Sequence, residues 1–241
     1  MTPHEGGTMS ETQVRTGPGP WLVAGLTLGM IWALREIFLI APEERVMGAV
    51  QKVFYFHVPA AFATYLGVGV LLAASIGYLW TRRLAWDAWS RAATEVSLLF
   101  CTIVLITGPI WARPAWGTWW TWEARLTTTL TLWMLLAASL LVRRLAGDAE
   151  RGARLAAAVG LLAAVNVPII HKAVEWWRGQ HPQVFAAGNR GSLDPGMRTA
   201  FLAGTLVFLA LFGVLLLLRA HLAVLENRSR ELADQAWAEV D

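Results

Sequence analysis

The sequence predicts an all-α, polytopic membrane protein with six transmembrane helices. Of its 241 residues, 56% are hydrophobic and only 15% are charged, which is too apolar for an ordinary soluble domain. Apolar stretches that are long enough to cross a hydrocarbon core of ~30 Å also recur along the chain. The net charge of +3 requires no nucleic-acid partner, and the lipid bilayer is the expected surrounding.

One membrane domain is expected between two flanking segments. Residues 1–20 are polar and predict a disordered tail rather than a cleaved signal peptide. Residues 21–218 are expected to form the membrane domain, and residues 219–241 carry the mixed charge of a cytoplasmic helix or tail. The six predicted spans are 21–34 (continuing as far as 40), 54–80, 96–110, 126–142, 155–171 and 199–218.

Polar residues near the spans lead to further expectations. Arg35 and Glu36 lie near the end of the first span, where they either snorkel or pair with each other or a neighbour. Residues 41–52 are amphipathic and are expected on the membrane surface. Residues 82–91 are expected to form a charged loop, and Gly108 and Pro109 to end the third span.

The distribution of arginines predicts the orientation of the chain in the membrane. Dense arginine clusters follow the second, fourth and sixth spans, and cationic loops are typical of the cytoplasmic side. Both termini are therefore expected in the cytoplasm. The loops after the first, third and fifth spans are expected to face outward.

Residues 111–127 are expected to form an outer loop with a dense tryptophan cluster. If the segment is helical, its residues at positions i, i+3, i+4 and i+7 lie on one face. An aromatic belt at the membrane interface is the alternative for each single tryptophan, but the density favours a platform for a large planar ligand. The residues of this platform are Trp116, Trp119, Trp120 and Trp122, with Glu123 and Arg125 at its edge.

Two histidines are expected at the same membrane face as this platform. His57 begins the second span and His171 ends the fifth span, so both lie on the predicted outer side. Two imidazoles from separate helices beside an aromatic surface suit a bis-histidine haem site. A hydrogen-bonded interfacial role is the alternative for either histidine alone. His181 is expected as a solvated loop residue, with a spare ligand or a transfer aid as the alternatives. The outer cations available to haem propionates are Lys52, Arg125, Lys172 and Arg178.

Three motifs in this sequence resemble those of one family. The stretch WGTWWTWEARLT at residues 116–127 resembles the tryptophan-rich "WWD" signature of haem-handling membrane proteins. The stretches FHVPAA at residues 56–61 and NVPIIH at residues 166–171, with VEWW at residues 174–177, resemble the histidine motifs of its haem exporter protein C branch. Glu123 stands where the family usually has Asp, and Lys52 where it commonly has Arg.

The resemblance implies a function in cytochrome c maturation. By this resemblance, the chain is expected to hold haem b at the outer face of the plasma (inner) membrane and to pass it to a membrane-anchored haem chaperone. The implied partners are the ATPase and permease subunits of an ATP-binding-cassette transporter and a small single-span subunit. The implied axial ligands are His57 and His171. No enzymatic activity is implied for this chain.

Other classes of protein are weighed on the same residues. A cytochrome b-like electron-transfer subunit would bury its bis-histidine haem within the bundle, and no histidine lies in the middle of a predicted span. A small-molecule permease would carry paired polar residues or broken helices at mid-membrane. The larger lyase and fused assembly proteins of the family are longer or carry extra histidines. Because Cys101 is the only cysteine, an intramolecular disulfide cannot form.

Overall fold

The chain folds into a bundle of membrane-length helices. The computed structural model describes residues 19–182 and 193–238, and six helices within these ranges are long and apolar enough to cross a membrane, which confirms the predicted fold class. Backbone groups have no water to bond in lipid, so the helix is the favoured spanning structure. The helices are α1 (Pro20–Arg35), continued by a π-helical segment (Glu36–Ile40), α2 (Phe54–Thr81), α3 (Leu84–Trp116), α4 (Ala124–Leu145), α5 (Ala149–Trp177) and α6 (Pro195–Ala238).

Some expectations concern residues outside the described ranges. The predicted disordered tail is described only in its last two residues, and residues 183–192 of the loop between α5 and α6 are also outside these ranges. Within the first span, Arg35 pairs with Glu36 at 2.6 Å, which is one of the two expected arrangements. Between α1 and α2, the carboxylate of Glu44 accepts the backbone N–H groups of Val46 and Met47, and a short 3₁₀ helix (Ala49–Val53) leads into α2.

Helix α3 is much longer than the predicted third span. The expectations of a charged loop over residues 82–91 and of a helix end at Gly108 and Pro109 are wrong, because α3 begins at Leu84 and continues past both prolines to Trp116. Asp87 is tolerated inside the bundle because it pairs with Arg143 of α4 at 2.6 Å. Proline is tolerated in a membrane helix when neighbouring helices hold the segment in place.

Local signals set the ends of α5, and α6 extends beyond its predicted span. The side chain of Asp148 accepts the backbone N–H groups of Glu150 and Arg151, which satisfies donors that the first turn of α5 leaves free. Arg178 follows Trp177 in the left-handed conformation, with φ of 51°. Helix α6 continues as one helix to Ala238, so the mixed-charge segment after residue 218 is helical over its described part.

The bundle is organised around α2. Helix α2 packs against α3, α5 and α6, α4 packs mainly against α5, and α1 packs against α6 at the edge of the bundle. The core between these helices contains Leu71, Phe100, Leu132, Leu136 and Phe212, each at most 2% exposed. This packing brings the start of α2, the end of α3, the start of α4 and the end of α5 together at one end of the bundle, the histidine end. The opposite end is called the arginine end.

Candidate ligand-binding site

The histidine end contains a cavity of about 440 Å³, which lies within the usual range of small-molecule sites, ~300–1,000 Å³. Its walls come from α2, α3, α4, α5 and the segment after α5. Most of the wall is apolar or aromatic, and three histidines and one arginine supply the main polar groups. The lining residues that matter below are Gln51, His57, Tyr65, Gly108, Trp111, Trp116, Trp120, Arg125, His171, Glu175, His181 and Pro182.

His57 is held in a defined orientation by Thr107 of α3. The two side chains meet at 2.9 Å between His57 Nδ1 and Thr107 Oγ1. The Thr107 hydroxyl donates its own proton to the carbonyl of Ile103 at 2.7 Å, so its oxygen is left as an acceptor. Nδ1 of His57 therefore carries the ring proton, and the lone pair of Nε2 is free for a ligand. Gly108 keeps the space beside the ring open, since a Cβ there would lie 3.5 Å from His57 Cε1.

Two further histidines line the same cavity. His171 lies on α5 with an exposed side chain. His181 follows α5 in the chain and is partly buried, and its ring lies 6.3 Å from the ring of Trp116 at an angle of 66°. The structure thus brings together His57 and His171, as predicted, and adds His181 to the cavity wall. His181 is therefore a wall residue and not the solvated loop residue that was expected.

Arg125 connects α4 to the end of α5 and to His181. Its Nε lies 3.3 Å from the carbonyl oxygen of Ile170, and its Nη2 lies 3.4 Å from the carbonyl oxygen of His171. Its Nη1 donates to His181 Nδ1 at 3.1 Å. Burial and, second, the charge of Arg125 lower the pKa of His181 to about 4, so this ring is neutral at pH 7. The same Nδ1 is 3.2 Å from the carbonyl oxygen of Pro182, and a neutral ring bonds only one of these partners through that nitrogen.

The tryptophan-rich segment is a loop and not a helix. Helix α3 ends at Trp116 because Gly117 adopts the left-handed conformation, with φ of 74°, and its N–H bonds to the carbonyl of Arg113. The Arg113 guanidinium donates in turn to the Gly117 carbonyl. Regular helix resumes only at Ala124. The condition for a shared helical tryptophan face is therefore not met, and the loop is shorter than the predicted residues 111–127.

Two tryptophans of this segment face the cavity, and two others are exposed on the outside of the protein. Trp116 and Trp120 line the cavity, and the Nε1 of Trp120 is buried without a hydrogen-bond partner among the described residues. Trp119 and Trp122 point outward instead, with 59% and 76% of their surface exposed. Trp111, one turn before the end of α3, packs edge to face on Trp116 at 5.5 Å. The segment therefore presents both an inner wall and an exposed aromatic surface.

Glu123 and Lys52 are not among the described residues that line the cavity. The Glu123 carboxylate accepts the backbone N–H of Gln180 at 2.8 Å. A Cβ on Gly179 would lie 2.9 Å from the same carboxylate oxygen, so the carboxylate lies close to the backbone of this glycine. The Lys52 ammonium donates to the carbonyl of Phe38 at 3.0 Å. Glu123 thus links the tryptophan loop to the segment that carries His181.

Several cavity residues have no clear signal in the sequence. Thr107 orients His57 from another helix, 50 positions along the chain. Gln51 accepts the indole N–H of Trp111 at 3.3 Å, which fixes that ring in the wall. Neither a lone threonine in an apolar span nor a lone glutamine before one is unusual. A lone histidine in a loop is equally ordinary. The position of His181 in the cavity wall depends on its tertiary contacts with Trp116 and Arg125, which the sequence does not show.

The histidines do not form a site for a bare metal ion. Within residues 19–182 and 193–238, no group of three or more His, Cys, Asp or Glu side chains is close enough to hold one. A metal that already carries most of its ligands in a macrocycle needs only one or two donors from the protein. A cavity with aromatic walls and separate imidazoles suits a flat metal-containing ligand of this kind.

The fold and the site define a polytopic helical membrane protein with a histidine- and tryptophan-lined cavity at one end of its bundle. The chain belongs to the heme exporter protein C family, whose model matches residues 9–235. It is 35% identical over 215 residues to heme exporter protein C of Bradyrhizobium diazoefficiens, covering 88% of this chain and 81% of that protein. The Escherichia coli K12 protein of the same name is 35% identical over 216 residues, covering 88% and 85%. A putative cytochrome c biosynthesis ccmC-like mitochondrial protein of Marchantia polymorpha is 31% identical over 163 residues, covering 66% and 69%.

Proposed function

We propose that this protein binds haem b in the cavity at the histidine end and delivers it to a haem chaperone for cytochrome c maturation. The observation that carries the proposal is the meeting of His57, two other histidines and three tryptophans in the wall of one cavity. Family membership supplies the cargo, since the relatives are named for haem export. Haem is the substrate of this step, and the proposal assigns no catalytic residue to the chain.

His57 is the first proposed axial ligand. Its Nδ1–H is engaged by Thr107 at 2.9 Å, so Nε2 offers a lone pair to iron from a fixed ring. A hydrogen bond to the second nitrogen is the usual device that orients a ligating histidine.

The second axial ligand is proposed to be His181, with His171 as the competing residue. The sequence motif favours His171, but its side chain is exposed. The ring of His181 is partly buried against Trp116 at 6.3 Å. His57 and His181 line the same cavity. These contacts favour a porphyrin held between His57 and His181.

Arg125 is proposed to bind a haem propionate. Its Nη1 donates to His181 Nδ1 at 3.1 Å, an arrangement in which the ring proton of His181 lies on Nε2. Ligation through Nε2 requires the other tautomer, in which Nδ1–H donates to the Pro182 carbonyl, 3.2 Å away. A carboxylate is a stronger partner for a guanidinium than an imidazole is. Propionate binding would therefore release His181 and prepare it for iron.

The exposed tryptophans are proposed to contact the acceptor of haem. Trp119 and Trp122 are exposed on the loop, and Trp176 and Trp177 are exposed by 61% and 59% at the end of α5. Exposed aromatic clusters of this kind are typical of protein contact sites. We extend the proposal to the partners implied by the family, an ATP-binding-cassette ATPase and permease and a small single-span subunit.

The ligand assignment is tested by haem content and absorption after purification of the full-length protein. Replacing His57 by Ala is expected to abolish the bis-histidine spectrum. His181→Ala is expected to do the same, whereas His171→Ala retains it. Loss in His171→Ala with retention in His181→Ala would return the assignment to His171, and retention in all three variants would refute haem ligation here.

Delivery is tested separately from binding. Haem-loaded protein is mixed with a purified haem chaperone, and haem is followed by absorption after separation of the two proteins. Transfer of haem supports the proposed function. Stable retention of haem with reversible reduction by quinol would instead identify a cytochrome b-like electron carrier.

The histidine end is proposed to face outward from the plasma membrane, with both termini in the cytoplasm. Single cysteines test this orientation, because the natural Cys101 is buried and is replaced by Ser in the background. A membrane-impermeant thiol reagent added to intact cells is expected to label Thr118→Cys at the histidine end. It is expected to spare Arg83→Cys at the arginine end, and the reverse pattern would refute the orientation.

A further inference from the structure

We propose that a second cavity, at the arginine end, binds a phosphate group carried by an anionic lipid or free in solution. This cavity has a volume of about 730 Å³ and lies between α3, α4 and α6, under the turn that connects α4 to α5. It is separate from the histidine cavity and lies at the other end of the same helices. Its described lining contains no histidine and no aromatic residue, so it does not suit a flat macrocycle.

The lining of this cavity is strongly cationic. Five arginines line it against two carboxylates, Glu95 and Asp148. The Asp148 carboxylate is already engaged by the first backbone N–H groups of α5, and Glu95 bonds both Arg91 and Arg219. The five arginines are Arg91, Arg143, Arg144, Arg219 and Arg230.

Three of these arginines have carboxylate partners among the described side chains. Arg143 pairs with Asp87 at 2.6 Å, and Arg91 and Arg219 share Glu95 and Glu226. Among the side chains that the structure describes, no carboxylate lies within ion-pair distance of Arg144 or Arg230. These two arginines therefore add positive charge to the cavity that no described carboxylate pairs with.

Buried donors in the same wall also lack hydrogen-bond partners. The Nε of Arg143 and the Nη1 of Arg219 are buried without a hydrogen-bond partner in the described structure. A carboxylate oxygen of Glu226 lies 3.5 Å from Arg219 Nη1. A buried donor of this type usually has an acceptor. Phosphate oxygens accept several guanidinium hydrogen bonds at once.

The position of the cavity favours a lipid headgroup as the source of the phosphate. It lies at the ends of membrane-spanning helices, and Leu98 and Leu140 form its apolar wall toward the middle of the bundle. Basic pockets between membrane helices commonly bind anionic headgroups. An acyl chain can lie along the outside of the bundle while the phosphate occupies the pocket.

The test uses the full-length protein in nanodiscs of phosphatidylcholine that contain a minor fraction of phosphatidylglycerol. The cavity variant carries Arg144→Gln and Arg230→Gln. The control carries Arg151→Gln and Arg154→Gln, which remove the same charge from the same end of the bundle outside the described cavity lining. Retained phosphatidylglycerol is counted by native mass spectrometry. The cavity variant is expected to bind it with an affinity lower by roughly thirtyfold, and the control is expected to match the wild type.

A second arm distinguishes the two sources of phosphate. The thermal midpoint of each protein in neutral detergent is measured with inorganic phosphate and with chloride at equal ionic strength. Selective loss of phosphatidylglycerol in the cavity variant supports a headgroup site, and selective loss of stabilisation by phosphate alone supports a site for free phosphate. Equal behaviour of the cavity variant and the control in both arms would overturn the proposal. Haem absorption and circular dichroism verify that the variants are folded.

Discussion

The role of Thr107 can be tested without changing any proposed ligand. Thr107→Val keeps the shape of the side chain and removes the oxygen that lies 2.9 Å from His57 Nδ1. The stability of α3 should change little, because the bond from the Thr107 hydroxyl to the Ile103 carbonyl is additional to the backbone hydrogen bonds of the helix. The His57 ring then loses the contact that fixes its orientation and its protonated nitrogen.

The expected loss of haem affinity follows from that contact. Removing the hydrogen-bond partner of a ligating histidine typically lowers metal affinity about 10–100-fold. This range corresponds to ~1.4–2.8 kcal/mol of binding free energy. We expect the lower part of the range, about tenfold, because part of the cost of an unpaired N–H falls on the empty protein as well.

The assay is a haem titration of the purified protein in detergent, followed by absorption. Thr64→Val is the matched control, since Thr64 is a buried threonine of α2 whose hydroxyl bonds the carbonyl of Ala60 in its own helix and no other described group. Wild type and control are expected to share one dissociation constant. An unchanged constant in Thr107→Val, or an equal weakening in both variants, would refute the role assigned to Thr107.

Three further predictions concern packing, loop anchoring and pH. Gly67→Ala is expected to destabilise the bundle by about 1–3 kcal/mol, because its Cβ would lie 2.1 Å from a serine hydroxyl and 3.0 Å from a phenylalanine ring. The control Gly69→Ala places its Cβ in open space and is expected to be neutral or stabilising. Equal thermal midpoints of the two variants would contradict this prediction. Glu123→Gln weakens a charged hydrogen bond to the Gln180 N–H, so a fall in thermal midpoint and faster haem loss are expected, and unchanged haem loss would remove the anchoring role. The pKa of His181 is about 4 in the folded protein, below the ordinary histidine value of about 6.5. As the pH falls, the unfolded chain therefore protonates at this histidine before the folded protein does. The stability of the haem-free protein should then decrease between about pH 6.5 and about pH 4. His181→Gln should flatten that decrease, and an unaltered pH profile of the thermal midpoint would oppose it.

The class of fold is predictable from the sequence because it depends on bulk properties. Long apolar stretches require helices in lipid, and each of the six predicted spans lies within one of six described helices. The limits of α3 were not predictable in the same way. Its extra turns depend on a partner for Asp87 on α4 and on neighbours that hold a helix containing Pro109 and Pro114. These are tertiary contacts that no local pattern contains.

The candidate site was predictable in its location and less so in its detail. The motifs bring His57, His171, Trp116, Trp120 and Arg125 to one cavity because each lies at the matching end of a span. Individual roles within the loops depend on contacts between distant segments. The Arg125–His181 contact joins residues 56 positions apart, and the Glu123–Gln180 contact joins residues 57 positions apart.

The departure of the tryptophan segment from a helix has a local cause. Gly117 adopts a positive φ of 74°, a conformation that glycine reaches without the steric cost paid by other residues. A single glycine between tryptophans is a weak signal in the sequence, since helices also contain glycine. The same turn separates the inward Trp116 and Trp120 from the outward Trp119 and Trp122.

The central claim is that one haem is held through His57 in the cavity at the histidine end. Chemical rescue tests it most directly: His57→Gly protein is purified with haem supplied, and its ferric absorption and electron paramagnetic resonance spectra are recorded with and without free imidazole. We expect the bis-histidine signature to be absent in the variant and to return when imidazole fills the space left by the side chain. A bis-histidine signature in the variant before imidazole is added would contradict the account.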